Sequence, residues 1–136
     1  MSDKGKILVA EDDAGVRELI RTRLSMAGYD VHTAKTGVEA MRRIYDLRPQ
    51  AIILDINMPE LDGFGVLQAM KTHWKEARIP TLVLTARHAS EDIQRAVALG
   101  AKDYLAKPFT ESQLLARVAR LIRPPAAAQA PIHLPL

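Results

Sequence analysis

Several side chains that carry charge or a transferable proton stand directly at the ends of short apolar runs. Glu11, Asp12 and Asp13 follow Lys6-Ile7-Leu8-Val9-Ala10, and Asp55 closes Ala51-Ile52-Ile53-Leu54. Thr85 closes Thr81-Leu82-Val83-Leu84, and Lys107 follows Asp103-Tyr104-Leu105-Ala106. Carboxylates brought within a few ångströms of one another repel and raise each other's pKa. A hard divalent cation relieves that repulsion, and a site of oxygen donors with few carboxylates suits Mg²⁺. A lysine ammonium on the other side of Asp55 would hold an anion, and the Thr85 hydroxyl would donate to it. A carboxylate flanked by a cation site, an ammonium and a hydroxyl can accept a phosphoryl group, because that transfer depends on positioning and charge neutralisation.

Each residue also has an ordinary explanation. An acid after a strand caps the next helix and complements its dipole, which accounts for Asp13, the acid nearest the helix start. Two further acids exceed what one cap needs. Asp55 ends an apolar run, where an unpaired carboxylate is costly. Thr85 suits any strand, and Lys107 alone reads as a solvated surface charge. The joint pattern carries the functional reading.

These residues are positioned by a five-fold alternation of strand and helix. The runs 6–10, 51–55 and 81–85 are nearly continuous in apolar residues, as strands buried on both faces of a parallel sheet must be. Tyr29-Asp30-Val31-His32-Thr33 alternates and reads as an edge strand; 103–106 is the fifth strand. Between them, Val16, Leu19, Ile20, Leu24 and Ala27 keep one helical face, with Gly28 as the stop. Thr36-Gly37-Val38-Glu39 reads as a capping box for a second helix through Val38, Met41, Ile44 and Tyr45. Helices are expected from Phe64 to His73 and from Ser90 to Leu99, the latter stopped by Gly100. Thr110-Glu111-Ser112-Gln113 is a second capping box, leading into Leu114, Leu115, Val118, Leu121 and Ile122. Such alternation implies right-handed crossovers, a parallel sheet and helices on both faces. The strand ends that carry the polar groups form the edge where open α/β sheets bind ligands.

Composition narrows the function classes. A chain of 136 residues with 48% hydrophobic residues fits one domain. It has no cysteine, which excludes disulfides, thiolate metal sites and a cysteine nucleophile. No apolar run approaches a membrane span and no signal-peptide core is visible, so a soluble, cytoplasmic protein without membrane contact is expected. Residues 1–62 carry 9 Lys/Arg and 11 Asp/Glu, whereas 63–136 carry 10 and 5. The basic residues are scattered and aromatics are few, so direct nucleic-acid binding is not expected. His32, His73, His88 and His133 lack metal-ligand spacing, and Met41, Met70 and Trp74 read as packing residues. Residues 1–123 make the domain; 124–136 are a Pro/Ala-rich tail or linker stub.

Four stretches together resemble a response-regulator receiver domain of two-component, or phosphorelay, signalling over about residues 5–123. They are Ile7-Leu8-Val9-Ala10-Glu11-Asp12-Asp13, Leu54-Asp55-Ile56-Asn57-Met58-Pro59-Glu60-Leu61-Asp62-Gly63, Leu84-Thr85-Ala86 and Gly100-Ala101-Lys102-Asp103-Tyr104-Leu105-Ala106-Lys107-Pro108-Phe109. The resemblance implies an α/β doubly wound (βα)5 flavodoxin-like domain with strand order 2-1-3-4-5. It implies that Asp55 is the phosphoacceptor and that Mg²⁺ is held by Asp12 directly, by Glu11 through water, by Asp55, and by the backbone carbonyl of Asn57. Thr85 is then the switch hydroxyl, Tyr104 the aromatic that changes rotamer with it, and Lys107 the ion-pair partner of the phosphoryl group. The Lys107–Pro108 peptide is expected to be cis.

The implied function is a phosphorylation-dependent switch. A sensor histidine kinase or a histidine phosphotransfer protein would donate to Asp55. The face made by the fourth helix, fifth strand and fifth helix would then control a downstream target protein or pair two copies as a homodimer. Such a protein catalyses only its own phosphorylation and dephosphorylation and is not an enzyme with a separate substrate. A second reading is an aspartyl-nucleophile phosphohydrolase of the haloacid-dehalogenase type. It would need a proton-exchanging acid two residues after the nucleophile, where this chain has Asn57, and it has no room for a cap domain. A receiver-like module that never meets phosphate would be expected to lack Asp55, Asp12 or Lys107, and all are present. A flavin-binding variant of the same fold would need a phosphate-cradling hydroxyl- or glycine-rich loop after the first strand, and Glu11-Asp12-Asp13 would repel that phosphate. The chain can also be the receiver fragment of a larger regulator with a missing output domain.

Overall fold

The computed structural model describes residues 4–74, 78–86 and 89–122. The tail expected at 124–136 lies outside the described residues, as do His88 and His133. Strand and helix alternate as β1 (Lys6–Ala10), α1 (Ala14–Met26), β2 (Asp30–Ala34), α2 (Gly37–Leu47), β3 (Ala51–Asp55), α3 (Gly63–His73), β4 (Thr81–Ala86), α4 (Ser90–Ala98), β5 (Asp103–Lys107) and α5 (Glu111–Ile122). The strands form one sheet in the order β2-β1-β3-β4-β5, and every neighbouring pair is parallel. This is the flavodoxin-like (βα)5 arrangement. β2 is an edge strand, as its alternation predicts.

The sheet divides two apolar cores. Side chains alternate across a strand with period two, so Leu8 and Ala10 of β1 point to one core while Ile7 and Val9 point to the other. In the first core Ile52 and Leu54 meet Ile44 of α2, Val66 and Leu67 of α3 and Ala96 of α4. In the second, Ile53, Leu82 and Leu84 meet Ile20 and Leu24 of α1 and Leu114, Val118 and Leu121 of α5. Each such Val, Leu or Ile side chain stabilises the fold by about 1.5–3 kcal/mol on burial. Met41, Met70 and Trp74 pack against the first core.

The helix ends explain where the chain turns. Asp13 caps α1, its Oδ1 accepting the Val16 N–H at 3.0 Å. Asp62 caps α3 through the Gly65 N–H at 2.8 Å. At α5 the capping box is reciprocal: Thr110 Oγ1 accepts from Gln113 N–H, and Gln113 Oε1 accepts from Thr110 N–H. At α2 it is not. Thr36 Oγ1 accepts from Glu39 N–H, but the Glu39 carboxylate returns to Lys35 N–H at 2.7 Å, one residue before the cap. The N-cap position of α4, Ala89, supplies no side-chain bond, and Ala96 is the buried residue that ties this helix to the core.

Small departures from the expected boundaries matter at the site. β2 begins at Asp30, whose N–H pairs with Gly5, one residue later than periodicity suggested. β4 runs on to Ala86 and pairs there with Lys107, so Lys107 is the last ladder residue of β5 and does not lie beyond it. One close approach joins the layers: a Cβ on Gly37 would lie 1.8 Å from the Leu61 carbonyl oxygen. The start of α2 therefore abuts the β3–α3 connection.

Candidate functional site

The carboxyl ends of β1, β3, β4 and β5 bring the polar residues together. Carboxylate oxygens of Glu11, Asp12 and Asp55 lie within 4.8 Å of one another. Glu11 and Asp55 are buried, whereas Asp12 is exposed. Lys107 reaches between the two buried acids, its Nζ 2.9 Å from Glu11 Oε1 and 3.4 Å from Asp55 Oδ1. The shorter approach is a charge–charge contact, because Glu11 Oε1 receives no well-angled hydrogen bond. The other oxygen, Oε2, accepts the Asp13 N–H at 3.1 Å. Asp55 Oδ1 accepts the Asn57 N–H at 3.3 Å, which folds the β3–α3 connection back over the acid. Gly63 allows this fold: a Cβ there would lie 2.6 Å from the Asp55 carbonyl oxygen.

The electrostatics follow from crowding. Burial, together with hydrogen bonding and charge repulsion from Asp55, pushes the Glu11 carboxyl up to about 7, against the opposing pull of Lys107. For Lys107, burial works against the ammonium, but the Glu11 and Asp55 carboxylates outweigh it and hold its pKa above the ordinary lysine value. The cluster thus has one ammonium for three acids. It fits a small hard cation: its ligands are all oxygens, and a buried Glu11 oxygen lacks a hydrogen-bond donor.

Thr85 is buried, and its hydroxyl donates to the Ala86 carbonyl at 2.8 Å. Tyr104 is 39% exposed. The Arg117 guanidinium lies 5.7 Å from the centre of its ring and also donates to its carbonyl. The Lys107–Pro108 peptide is cis. A cavity of about 410 Å³ lies beside Asp55 and Lys107, walled by Val16 and Leu19 of α1 and by Pro108 and Phe109 after β5. The described histidines stay apart from Glu11, Asp12 and Asp55: His32 Nε2 lies 3.3 Å from Asp30 Oδ1 on β2, and His73 is exposed at the end of α3.

One residue of the site was not singled out from the sequence. Arg17 is 9% exposed, and its Nη1 donates to the carbonyls of Glu11 at 2.9 Å and Asp12 at 3.2 Å. The signal was present. Arg17, Ile20 and Leu24 share the i, i+3, i+7 phase of the buried face of α1.

Comparison with known proteins identifies the group to which this geometry belongs. The sequence model of the response regulator receiver domain matches residues 7–119. The chain belongs to the response regulator receiver family. Among its relatives, the response regulator MprA of Mycobacterium sp. (strain KMS) is 44% identical over 118 residues, covering 87% of this chain and 50% of the relative. A probable transcriptional regulator, ycf27 of Guillardia theta, is 41% identical over 123 residues, or 90% of this chain and 47% of that one. The receiver chain thus spans about half the length of the curated relatives it matches. Solved structures agree on the fold. A putative response regulator from Chloroflexus aurantiacus superposes with a TM-score of 0.82 at 35% identity, over 87% of this chain and 97% of that one. The chemotaxis response regulator CheY4 of Vibrio cholerae gives 0.80 at 34% identity, over 85% and 97%. Receivers belong to two-component signalling, and this domain is a signalling module of that kind. No helix among the described residues is long and apolar enough to cross a membrane.

Proposed function

We propose that this receiver is a phosphorylation-controlled switch in which Asp55 accepts a phosphoryl group from a sensor histidine kinase or a histidine phosphotransfer protein. The observation that carries the proposal is the convergence on the buried Asp55 carboxylate of an ammonium, Lys107, and two further acids, Glu11 and Asp12. In the transfer an Asp55 Oδ–P bond forms as the donor's P–N bond breaks, and the bonding pair returns to the imidazole nitrogen. Mg²⁺, held by Asp12, Asp55 and the Asn57 carbonyl directly and by Glu11 through water, would neutralise charge on the phosphoryl oxygens. Lys107 exchanges its contact with Asp55 for one with the new phosphoryl oxygens. The apolar walls Val16, Leu19, Pro108 and Phe109 give the donor protein a docking surface beside the acid.

The output follows from the charge. Phosphorylation turns the singly charged Asp55 carboxylate into an acyl phosphate that carries up to two negative charges and strong acceptor oxygens. Thr85, whose hydroxyl now serves Ala86, turns to donate to them, and Tyr104 rotates inward from its exposed position. This remodels the face of α4, β5 and α5, where Val97 and Tyr104 are exposed and Asp103 is held by Arg117 and Arg120. That face would control a downstream target protein or pair two copies. Residues 1–123 form the receiver and 124–136 a Pro/Ala-rich tail or linker stub. The length of the relatives favours a second reading of the whole, in which this receiver is one part of a longer regulator.

The deciding experiment is labelling with a small phosphodonor in the presence of Mg²⁺. The wild-type domain should take up one phosphoryl group per chain, and Asp55→Asn should take up none, because an amide is a poor nucleophile. Normal labelling of Asp55→Asn would remove Asp55 from the role.

A further inference from the structure

Arg17 is badly placed for every ordinary helical purpose. It sits in the first turn of α1, where a cation opposes the helix dipole. It is almost fully buried, and a buried cation is costly unless paired. Yet among the described residues no carboxylate lies within ion-pair distance of it. Its recorded hydrogen bonds go to two backbone carbonyls, those of Glu11 and Asp12.

Those two carbonyls have a particular meaning. They belong to the peptide planes on either side of the Asp12 Cα. Peptide units are rigid, so fixing both planes fixes the φ and ψ of Asp12. The direction of its Cα–Cβ bond, and so the reach of its carboxylate, is then set. The Glu11 side is tied as well, since its N–H bonds the Ala34 carbonyl and its Oε2 takes the Asp13 N–H. Asp12 itself is exposed, so burial does not fix its side chain.

We propose that Arg17 is the positioning residue of the acidic pair, gripping the two peptide planes around Asp12 so that its carboxylate is preorganised for a divalent cation. The inference rests on the Mg²⁺ reading given above and deepens it: the metal affinity of this site is set by a residue that never touches the metal. Partners of this outer-shell kind change metal affinity by about 10- to 100-fold when removed.

The test is a Mg²⁺ titration by isothermal calorimetry on the whole chain, alongside thermal melts. Arg17→Ala should raise the Mg²⁺ Kd by about 10- to 100-fold. Arg17→Lys should recover part of the loss, because a lysine keeps the charge but not the planar guanidinium that spans two acceptors. Ile44→Val, a core change in the other layer, provides a destabilised control whose Kd stays at the wild-type value. If Arg17→Ala fails to fold, Arg17→Gln carries the same comparison. An unchanged Kd with a lowered Tm would make Arg17 a purely structural residue and overturn the proposal. A wild-type Kd in Arg17→Lys would overturn the two-carbonyl grip. A wild-type protein that binds no Mg²⁺ would instead strike down the metal reading on which the inference stands.

Discussion

Glu11 shows how a single carboxyl can couple the site to pH. Its pKa in the fold is about 7, above the ordinary value of 4.5, because burial and Asp55 disfavour its charge. The metal-free fold therefore holds a proton that the unfolded chain releases. The stability contributed by that proton is fully present below about pH 4.5 and is lost as pH rises through about 7. Urea melts of the metal-free protein should show wild type losing ground to Glu11→Gln between about pH 5 and about pH 8; a constant difference would contradict the raised pKa. Its neighbours should separate cleanly. Asp13 caps α1, so Asp13→Ala should cost about 1 kcal/mol of stability and spare Mg²⁺ affinity. Asp12→Ala should do the reverse, and equal effects on the metal would place the acidic pair one residue out. At this scale the sequence was readable where a residue type is wrong for its surroundings, as with Asp55 at the end of an apolar run. Arg17 escaped notice because an arginine in a helix reads as solvated until its phase is counted against Ile20 and Leu24.

Elements depend on contacts that no local pattern contains. The apolar periodicity and turn residues located every strand and helix within about two residues. They could not show that β4 and β5 zip one pair further, to Ala86 and Lys107, since that ladder depends on the partner strand. Nor could they show where Glu39 sends its carboxylate. Gly37 is the sharpest case. In sequence it is an unremarked member of a capping box; in the fold it is the point where α2 touches the loop after Asp55. Gly37→Ala would drive a methyl into the Leu61 carbonyl and should destabilise by about 1–3 kcal/mol in urea melts. The same change should shift the amide resonances of Asn57 and Leu61, which the gain in helix propensity alone would leave in place.

For the molecule as a whole, continuous apolar runs demand burial on both sides, and that requirement forces helices onto both faces of the sheet. Alternation alone does not order the strands; the order came with the family resemblance. The resulting partition has a dynamic consequence. Most helices are clamped to the sheet by several buried side chains, but α4 is tied by Ala96 and starts without a side-chain cap. Such a segment is a separate, low-stability unit of local opening. Its amide protons should exchange with deuterium well before those of α1 and α5, and a phosphoryl mimic such as beryllofluoride at Asp55 should change that exchange more than any other helix's. Exchange in α4 as slow as in α5, and indifferent to the mimic, would refute this. A helix with so little holding it down can be re-seated by a small free energy, so the helix with the fewest buried side chains is also the one a distant charge can most readily move.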